Sequence, residues 1–248
     1  MTYCVAITTE TGLVFTADSR TNAGIDNVST YSKMHRFGAQ GDRQFVLLSA
    51  GNLATTQGVV QQLHKDIEHY APLNLMTAPG LSDAADYIGA VSVRQQEKHS
   101  GSGVNYEASF IIGGQIAGSV PELYLVYPQG NHITSSAYSP YLQIGEDKYG
   151  KAILDRILER TLSLETAALC AMVSMDSTMK SNMTVGPPIE MVIYPTDSFS
   201  LGRYYCFNED SEYLRELRRS WDSNLKDAFN KLPPIVWSAN WDSQQLNT

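Results

Sequence analysis

Strand-like and helix-like segments occur in blocks along this chain, and this order constrains the fold more than any other feature of the sequence. The predicted elements, in chain order, are strands at 2–9, 12–17, 33–37 and 44–50, helices at 52–70 and 82–96, strands at 107–115, 121–127, 132–137 and 141–144, helices at 148–160 and 163–180, two strands within 189–206, and a helix at 210–231. Grouped strands indicate an α+β protein rather than a doubly wound sheet. The economical packing is a four-layer αββα sandwich, with two central sheets and a helix pair on each outer side.

The domain organisation follows from the absence of any break in composition. No repeat or low-complexity segment divides the 248 residues, and a chain of this length can bury one large core. We therefore expect residues 1–205 to form one domain and residues 206–248 to form a helical extension packed on that domain. The predicted helix in the extension is amphipathic, with an apolar stripe formed by Leu214, Leu217, Trp221, Leu225 and Phe229.

Composition excludes several classes of protein. The net charge of -8 provides no basic excess for nucleic acid or anionic membranes, and no apolar run is long enough to span a bilayer. Cys4, Cys170 and Cys206 are too far apart for a zinc cluster, and three scattered cysteines fit a reducing cytosol. The N-terminus does not resemble a signal peptide. We expect a cytoplasmic protein with no metal and no cofactor, because the five histidines are scattered and no nucleotide-binding motif occurs.

The first strand begins unusually early, at Thr2. Met1 before a small residue is a pattern from which the initiator methionine is commonly removed, which would make Thr2 the first residue. A threonine hydroxyl needs a base to act as a nucleophile, and the free α-amine of an N-terminal threonine, with a pKa near about 7.7–8.0, provides one.

The hairpin that follows brings a carboxylate back toward Thr2. If Glu10, Thr11 and Gly12 form a three-residue loop, Asp18 lies opposite Cys4 and diagonal to Thr2, roughly 7–8 Å away. That gap suits one cation between the two side chains. Lys33 is the candidate, because it begins the next short strand and would lower the basicity of the α-amine. The backbone N–H of Gly51, between a buried strand and a helix, is the candidate donor to an oxyanion.

With these residues assembled, the sequence resembles the proteasome-like N-terminal nucleophile hydrolases. The matching features, in order, are Thr2 at the start of the first strand, FTADSRTNAG at 15–24, Lys33, LLSAGN at 47–52 and, more loosely, IGEDKYG at 144–150 and SMDSTMKSN at 174–182. The resemblance covers most of residues 1–205. The extra helix at 210–231 makes the chain more similar to the bacterial Anbu branch of this family than to the shorter HslV branch.

The resemblance implies an αββα sandwich that assembles into homo-oligomeric rings or spirals with inward-facing active sites. It implies that Thr2 is the nucleophile, that Asp18 and Lys33 tune it, and that Gly51 is the oxyanion donor. Asp176 and Ser181 match supporting positions near the amine. The specificity pocket is expected at four further positions: Thr21, Tyr31, His35 and Ser49.

The sequence departs from the family pattern at 145–147, where Gly-Glu-Asp replaces the usual Gly-Ser-Gly. Glu146 would approach Thr2 in place of a serine hydroxyl and hold the α-amine as an ammonium, which weakens it as a base. The alternative for Glu146 is a carboxylate at a helix N-terminus. The spacing from Asp176 to Ser181 is also longer than usual.

Three functions remain open at this point. The first is a threonine peptidase that acts on polypeptides in a self-assembled compartment. The second is an amidase with the same nucleophile, acting on a small amide or isopeptide. The third is a weakly active or inactive scaffold ring. Because the chain has no ATP-binding motif, ATP-driven unfolding of a substrate would need a separate unfoldase.

Overall fold

The computed structural model describes residues 1–22, 28–98 and 103–235. The strands in these segments are β1 (Tyr3–Thr9), β2 (Gly12–Asp18), β3 (Arg20–Asn22), β4 (Val28–Thr30), β5 (Met34–Ala39), β6 (Arg43–Gly51), β7 (Ala108–Ile116), β8 (Glu122–Val126), β9 (His132–Thr134), β10 (Tyr141–Gly145), β11 (Ile189–Pro195) and β12 (Tyr204–Phe207). The helices are α1 (Leu53–Glu68), α2 (Leu81–Glu97), α3 (Lys148–Ile157), α4 (Leu164–Ser181) and α5 (Glu212–Asn230).

Two five-stranded sheets form the centre of the fold. The first has the order β10-β1-β2-β11-β12 and the second the order β5-β6-β7-β8-β9, and the strand pairs within both are antiparallel. Helices α1 and α2 cover the second sheet, while α3 and α4 pack together on the side of the first. The α+β prediction of a four-layer αββα sandwich with an extra C-terminal helix is confirmed.

Alternating side chains on the central strands separate the layers. Phe15 of β2 meets Val46, Leu48 and Ile111 between the two sheets, and these residues are fully buried or nearly so. The next residues along the same strands face outward, so that Phe45 and Leu47 pack with the α1 and α2 side chains. This period of two follows from strand geometry, and it buries both faces of each sheet.

The β1–β2 turn differs from the prediction. The structure has a two-residue turn at Glu10 and Thr11, and Gly12 already pairs with Thr9. Gly12 is part of the strand because it also pairs with Pro195 of β11. The two backbones are so close there that a Cβ on Gly12 would lie 2.0 Å from the Tyr194 carbonyl oxygen. Cys4 therefore lies opposite Ala17, and the predicted pairing of Cys4 with Asp18 is wrong.

Two local features differ from what residue type alone suggests. Helix α2 begins after Gly80, so neither Ser82 nor Asp83 is its N-cap residue. The polar segment at 21–32 contains part of a short β3–β4 ribbon, and residues 23–27 within it lie outside the described residues. By contrast, α1 and α4 have side-chain N-caps, because Asn52 and Ser163 each accept a backbone N–H from the first turn.

The chain divides into two compact units, Met1–Ser211 and Glu212–Thr248. In the second unit, α5 carries exposed Leu225 and Phe229, and its residues 236–248 lie outside the described part of the chain. The predicted boundary at 205–206, and the packing of the extension on the first domain, stay predictions. Among the residues described, no helix is long and apolar enough to cross a membrane.

Candidate active site

The site is built where β1 begins beside the end of β10. Thr2 directly precedes β1, and its carbonyl oxygen accepts the backbone N–H of Glu146 at 2.7 Å. Gly145 allows this approach, because it has φ +86° and a Cβ there would lie 2.1 Å from the Thr2 oxygen. The Thr2 carbonyl and the backbone that follows it are therefore fixed by strand pairing.

Asp18 lies at the end of β2 and is completely buried. Its Oδ1 accepts the Tyr3 backbone N–H at 3.0 Å and the Lys33 ammonium at 2.7 Å, and its Oδ2 accepts the Gly186 N–H at 3.2 Å. Burial raises the pKa of the Asp18 carboxyl, and Lys33 and the two backbone donors act against that rise. The bond to Tyr3 links the carboxylate directly to the residue after Thr2.

Lys33 connects Asp18 to the beginning of the chain. Its Nζ donates to Asp18 and, at 2.7 Å, to the carbonyl oxygen of Arg20. It also lies 3.5 Å from the carbonyl oxygen of Met1, the residue joined to Thr2. An ammonium has three donors, so these acceptors account for all of them and place the positive charge next to Thr2.

A cavity of about 590 Å³ opens beside these groups. The lining residues are Met1, Thr2, Thr21, Tyr31, Ser32, Lys33, His35, Ser49, Ala50, Gly51, Leu53, Thr56, Gln57 and Gly145. The structure thus brings the predicted nucleophile, Lys33 and Gly51 into one cavity with all four predicted pocket residues. Asp18 does not line it and instead lies behind Lys33.

Gly51 ends β6 at the point where the chain turns into α1. Its φ is +112°, and a Cβ would lie 2.4 Å from the Glu107 carbonyl oxygen, so only glycine fits without strain. The following helix begins at Leu53 and has no acidic residue in its first turn. The positive end of its dipole therefore lies at the cavity without a neutralising side chain on that turn.

The electrostatics of the chain's first amine are set by three charged side chains. Burial and then the Lys33 ammonium lower the pKa of the Met1 α-amine below its usual value, and Asp18 and, to a smaller extent, Glu146 only partly oppose this shift. The Glu146 carboxylate is itself buried and accepts Asn182 Nδ2 at 3.1 Å. An amine in this region therefore experiences opposing electrostatic effects from Lys33 and Glu146.

The other two predicted supporting residues lie on α4. Asp176 is buried within the helix, and Ser181 is its exposed last residue. Neither lines the cavity beside Thr2. Asn182, which follows Ser181, is the residue that contacts Glu146. Sequence reasoning missed Asn182, and the supporting roles of Asp176 and Ser181 stay predictions.

Sequence reasoning also missed Glu190, a buried residue of β11. Its Oε2 accepts the hydroxyls of Ser19 at 3.0 Å and Ser32 at 2.7 Å, and its Oε1 accepts the Tyr204 hydroxyl at 2.8 Å. Ser19 follows Asp18 and Ser32 precedes Lys33, so Glu190 ties together the segments that carry the buried ion pair. The one available signal was a glutamate within the otherwise apolar strand IEMVIYP.

The proteasome subunit family model matches residues 2–194. No curated protein matches the chain. Three solved Anbu structures match at 42% identity each. Anbu from Yersinia bercovieri has a TM-score of 0.90, and the match covers 95% of this chain and 99% of that one. The Anbu complex of Pseudomonas aeruginosa, solved as a helical assembly, has a TM-score of 0.91 with 96% and 100% of the two chains covered, and Anbu from Hyphomicrobium sp. strain MC1 has a TM-score of 0.88 with 95% and 100% covered. The predicted resemblance is confirmed, and the chain belongs to the proteasome family and, within it, to the Anbu proteins.

Proposed function

We propose that this protein is a threonine-type peptidase whose nucleophile is the Thr2 hydroxyl, made competent by removal of Met1. The observation that carries the proposal is the buried Lys33–Asp18 pair, with Nζ to Oδ1 at 2.7 Å, beside a cavity that Thr2 and Gly51 both line. A buried ion pair of this kind is costly to form in a protein interior. Its position beside the one residue that carries both a hydroxyl and a latent amine supports a catalytic role.

Removal of Met1 converts the Thr2 nitrogen from an amide into an amine that can accept a proton. The amine takes the hydroxyl proton as Oγ1 forms a bond to the substrate carbonyl carbon. The Gly51 N–H stabilises the resulting oxyanion, and the proton passes to the leaving amine as the peptide bond breaks. Water then hydrolyses the ester on Thr2 and regenerates the free hydroxyl.

Lys33 and Glu146 act on this amine in opposite directions. The ammonium lowers the pKa of the neighbouring amine and the carboxylate raises it, as at the Met1 α-amine. A raised pKa keeps more of the amine protonated at neutral pH, where it cannot act as a base. We therefore propose a peptidase that is slower near neutral pH than it would be without Glu146.

In this proposal the peptidase is a cytoplasmic homo-oligomer that acts on polypeptide or peptide substrates. The helical assembly of the Pseudomonas aeruginosa Anbu complex supports self-association. Any unfoldase that delivers folded substrates would be a separate protein.

Intact-mass measurement of the purified protein, before and after treatment with a peptide bearing an electrophilic warhead, tests the proposal. We expect the mass of the chain without Met1, and one adduct that peptide mapping places on Thr2. Thr2→Ala should give no adduct, and Thr2→Ser, which keeps the hydroxyl, should restore labelling. Thr8→Ala, on the same strand, is a matched control that should label like the wild type.

The outcomes separate the three candidate functions. Retention of Met1 on all chains would overturn the mechanism, since the base would then be an amide. Cleavage of small amides but not of peptides would support the amidase function. A chain that has lost Met1 but whose Thr2 is not labelled would support the inactive scaffold ring.

A further inference from the structure

Hydrogen-bonding side chains without a formal charge dominate the polar part of the cavity beside Thr2. Thr21, Tyr31, His35, Ser49 and Gln57 all line it. In the known chemistry of these groups, hydroxyls and amides both donate and accept, and a neutral imidazole offers one donor and one acceptor. The wall can therefore bind a group that also has both functions.

Several of these polar groups have no hydrogen-bond partner among the described residues. Ser49 is only 4% exposed, yet within the described segments its hydroxyl makes no hydrogen bond, and the same is true of the His35 ring. The Thr21 hydroxyl is buried and likewise unpaired. Buried polar groups are normally satisfied, so the unpaired Thr21 hydroxyl indicates a ligand that supplies its partner. The Ser49 hydroxyl and the half-buried His35 ring line the same cavity and are available to bind that ligand.

A charged side chain would find no unpaired counter-ion among the described side chains of this cavity. The Lys33 ammonium is paired with the Asp18 carboxylate and also donates to the Arg20 carbonyl, and burial lowers the pKa of His35 to about 4, which leaves it neutral at pH 7. No carboxylate is present among the described residues that line the cavity. Either an acidic or a basic side chain would thus be desolvated without compensation.

The remaining wall is apolar and suits a short aliphatic stem. Ala50 and Leu53 lie in the lining together with the polar residues. A glutamine side chain has two methylenes followed by an amide that both donates and accepts. It matches the apolar and the unpaired polar parts of the wall at once.

We propose that this cavity selects an uncharged amide side chain, glutamine, on the acyl side of the cleaved bond, with His35 and Ser49 as the specificity-determining residues. The inference rests on the proposed peptidase function and assigns its substrate class. His35 lies on β5 and Ser49 on β6, two paired strands, so that both groups are presented from one rigid sheet. The position of the binding groups is therefore set by the fold and not by a flexible loop.

The experiment uses four peptide vinyl sulfones that differ only in the acyl-side residue, namely glutamine, glutamate, methionine or lysine. Glutamate has the shape of glutamine with a charge, and methionine has a similar length without the amide. We expect the glutamine probe to label Thr2 at least about tenfold faster than each of the others at pH 7.5, because a site built for hydrogen bonds rejects side chains that leave its groups unpaired.

Variants identify the residues responsible. His35→Leu should slow labelling by the glutamine probe about tenfold and leave the methionine probe as fast or faster. Ser49→Ala should reduce the ratio of glutamine-probe to methionine-probe labelling rates by less than His35→Leu does, because it removes one hydroxyl. His69→Leu, at the far end of α1, is the matched control and should keep the wild-type ratio.

Two failures are distinguishable. Labelling of Thr2 that is fastest with methionine, glutamate or lysine would overturn the assignment of glutamine while supporting the peptidase. An unchanged glutamine-to-methionine ratio in His35→Leu would overturn the role of His35. The absence of any adduct on Thr2 with all four probes would count against the proposed function itself.

Discussion

The backbone N–H of Glu146 donates a 2.7 Å hydrogen bond to the carbonyl oxygen of Thr2. This bond extends the β1–β10 pairing by one residue beyond Tyr3 and Gly145, so the position of Glu146 is fixed relative to the start of the chain. The carboxylate is held at its other end by the Asn182 side-chain amide. A buried negative charge is thereby fixed close to the residue proposed as nucleophile and base.

Glu146→Gln should leave more of the Thr2 amine unprotonated, and so able to accept the hydroxyl proton, at lower pH. A nearby carboxylate raises the pKa of an amine, so its neutralisation should move the acidic limb of the labelling-rate profile down by about 1 pH unit. The rate of Thr2 labelling between pH 5 and 9 measures this limb. Asp147→Asn removes an exposed charge from the next residue and should leave the profile unchanged. An acidic limb that does not move would show that Glu146 acts only through its backbone.

Lys33→Met should both destabilise the protein and abolish labelling of Thr2. The substitution leaves Asp18 as a buried carboxylate without its cation, and such a loss typically costs about 3–5 kcal/mol of unfolding free energy. Urea unfolding measures the stability, and a peptide warhead measures the labelling. The matched control is Lys65→Met, an exposed lysine of α1. Wild-type stability in Lys33→Met would contradict the structural role of the pair.

The sequence predicted the architecture well because most strands and helices have one continuous apolar face. Phe45 and Leu47 alternate with Val46 and Leu48, and this period of two placed β6 correctly between two apolar layers. The turn at Glu10 and Thr11 was missed for a physical reason. Gly12 is a common turn residue, but here it lies in a strand where the neighbouring backbone leaves no space for a side chain.

The spacing of the sequence motifs predicted the Asp18–Lys33 pair of the candidate site but not the residues that support it. Asp18 meets Lys33 although the predicted register was wrong, because the salt bridge depends on where β2 ends and β5 begins. Glu190 could not be found in this way, since its three partners come from the residue after β2, the segment before β5, and β12. Contacts between residues so distant in the chain exist only once β2, β11 and β12 lie side by side and the segment before β5 packs against them.

Glu190→Ala should make the buried Lys33–Asp18 pair less rigidly held, because Glu190 binds the residues next to both members. It removes the acceptor of three hydroxyls, of which that of Ser19 is buried, and an unsatisfied buried group costs about 1–3 kcal/mol. We expect a loss of about 1–3 kcal/mol in urea unfolding, together with slower labelling of Thr2. Glu190→Gln keeps the shape and one acceptor and should lose less, and Glu159→Gln at an exposed position is the control for charge alone. Equal stability of Glu190→Ala and the wild type would contradict this role.

His35 should make the protein less stable in mild acid. Its pKa is lowered to about 4, chiefly by burial, with the His64 imidazole of α1 adding to the effect and the Glu190 carboxylate of β11 opposing it. Between about pH 6.5 and 4 the unfolded chain therefore binds more protons at this residue than the folded one. The unfolding free energy should fall by up to about 3 kcal/mol over this range on account of His35 alone.

The measurement is urea unfolding at several pH values from 4 to 7.5 in three proteins. His35→Gln has no titratable group at this position, so its stability should fall less steeply with acid than that of the wild type, while both should behave alike above about pH 7. His69→Gln removes an exposed histidine and should follow the wild type at every pH. Parallel curves for the wild type and His35→Gln would show that His35 can take up a proton in the folded protein as easily as in the unfolded chain. The imidazole would then be charged at mildly acidic pH, and the cavity would bind an acidic side chain there.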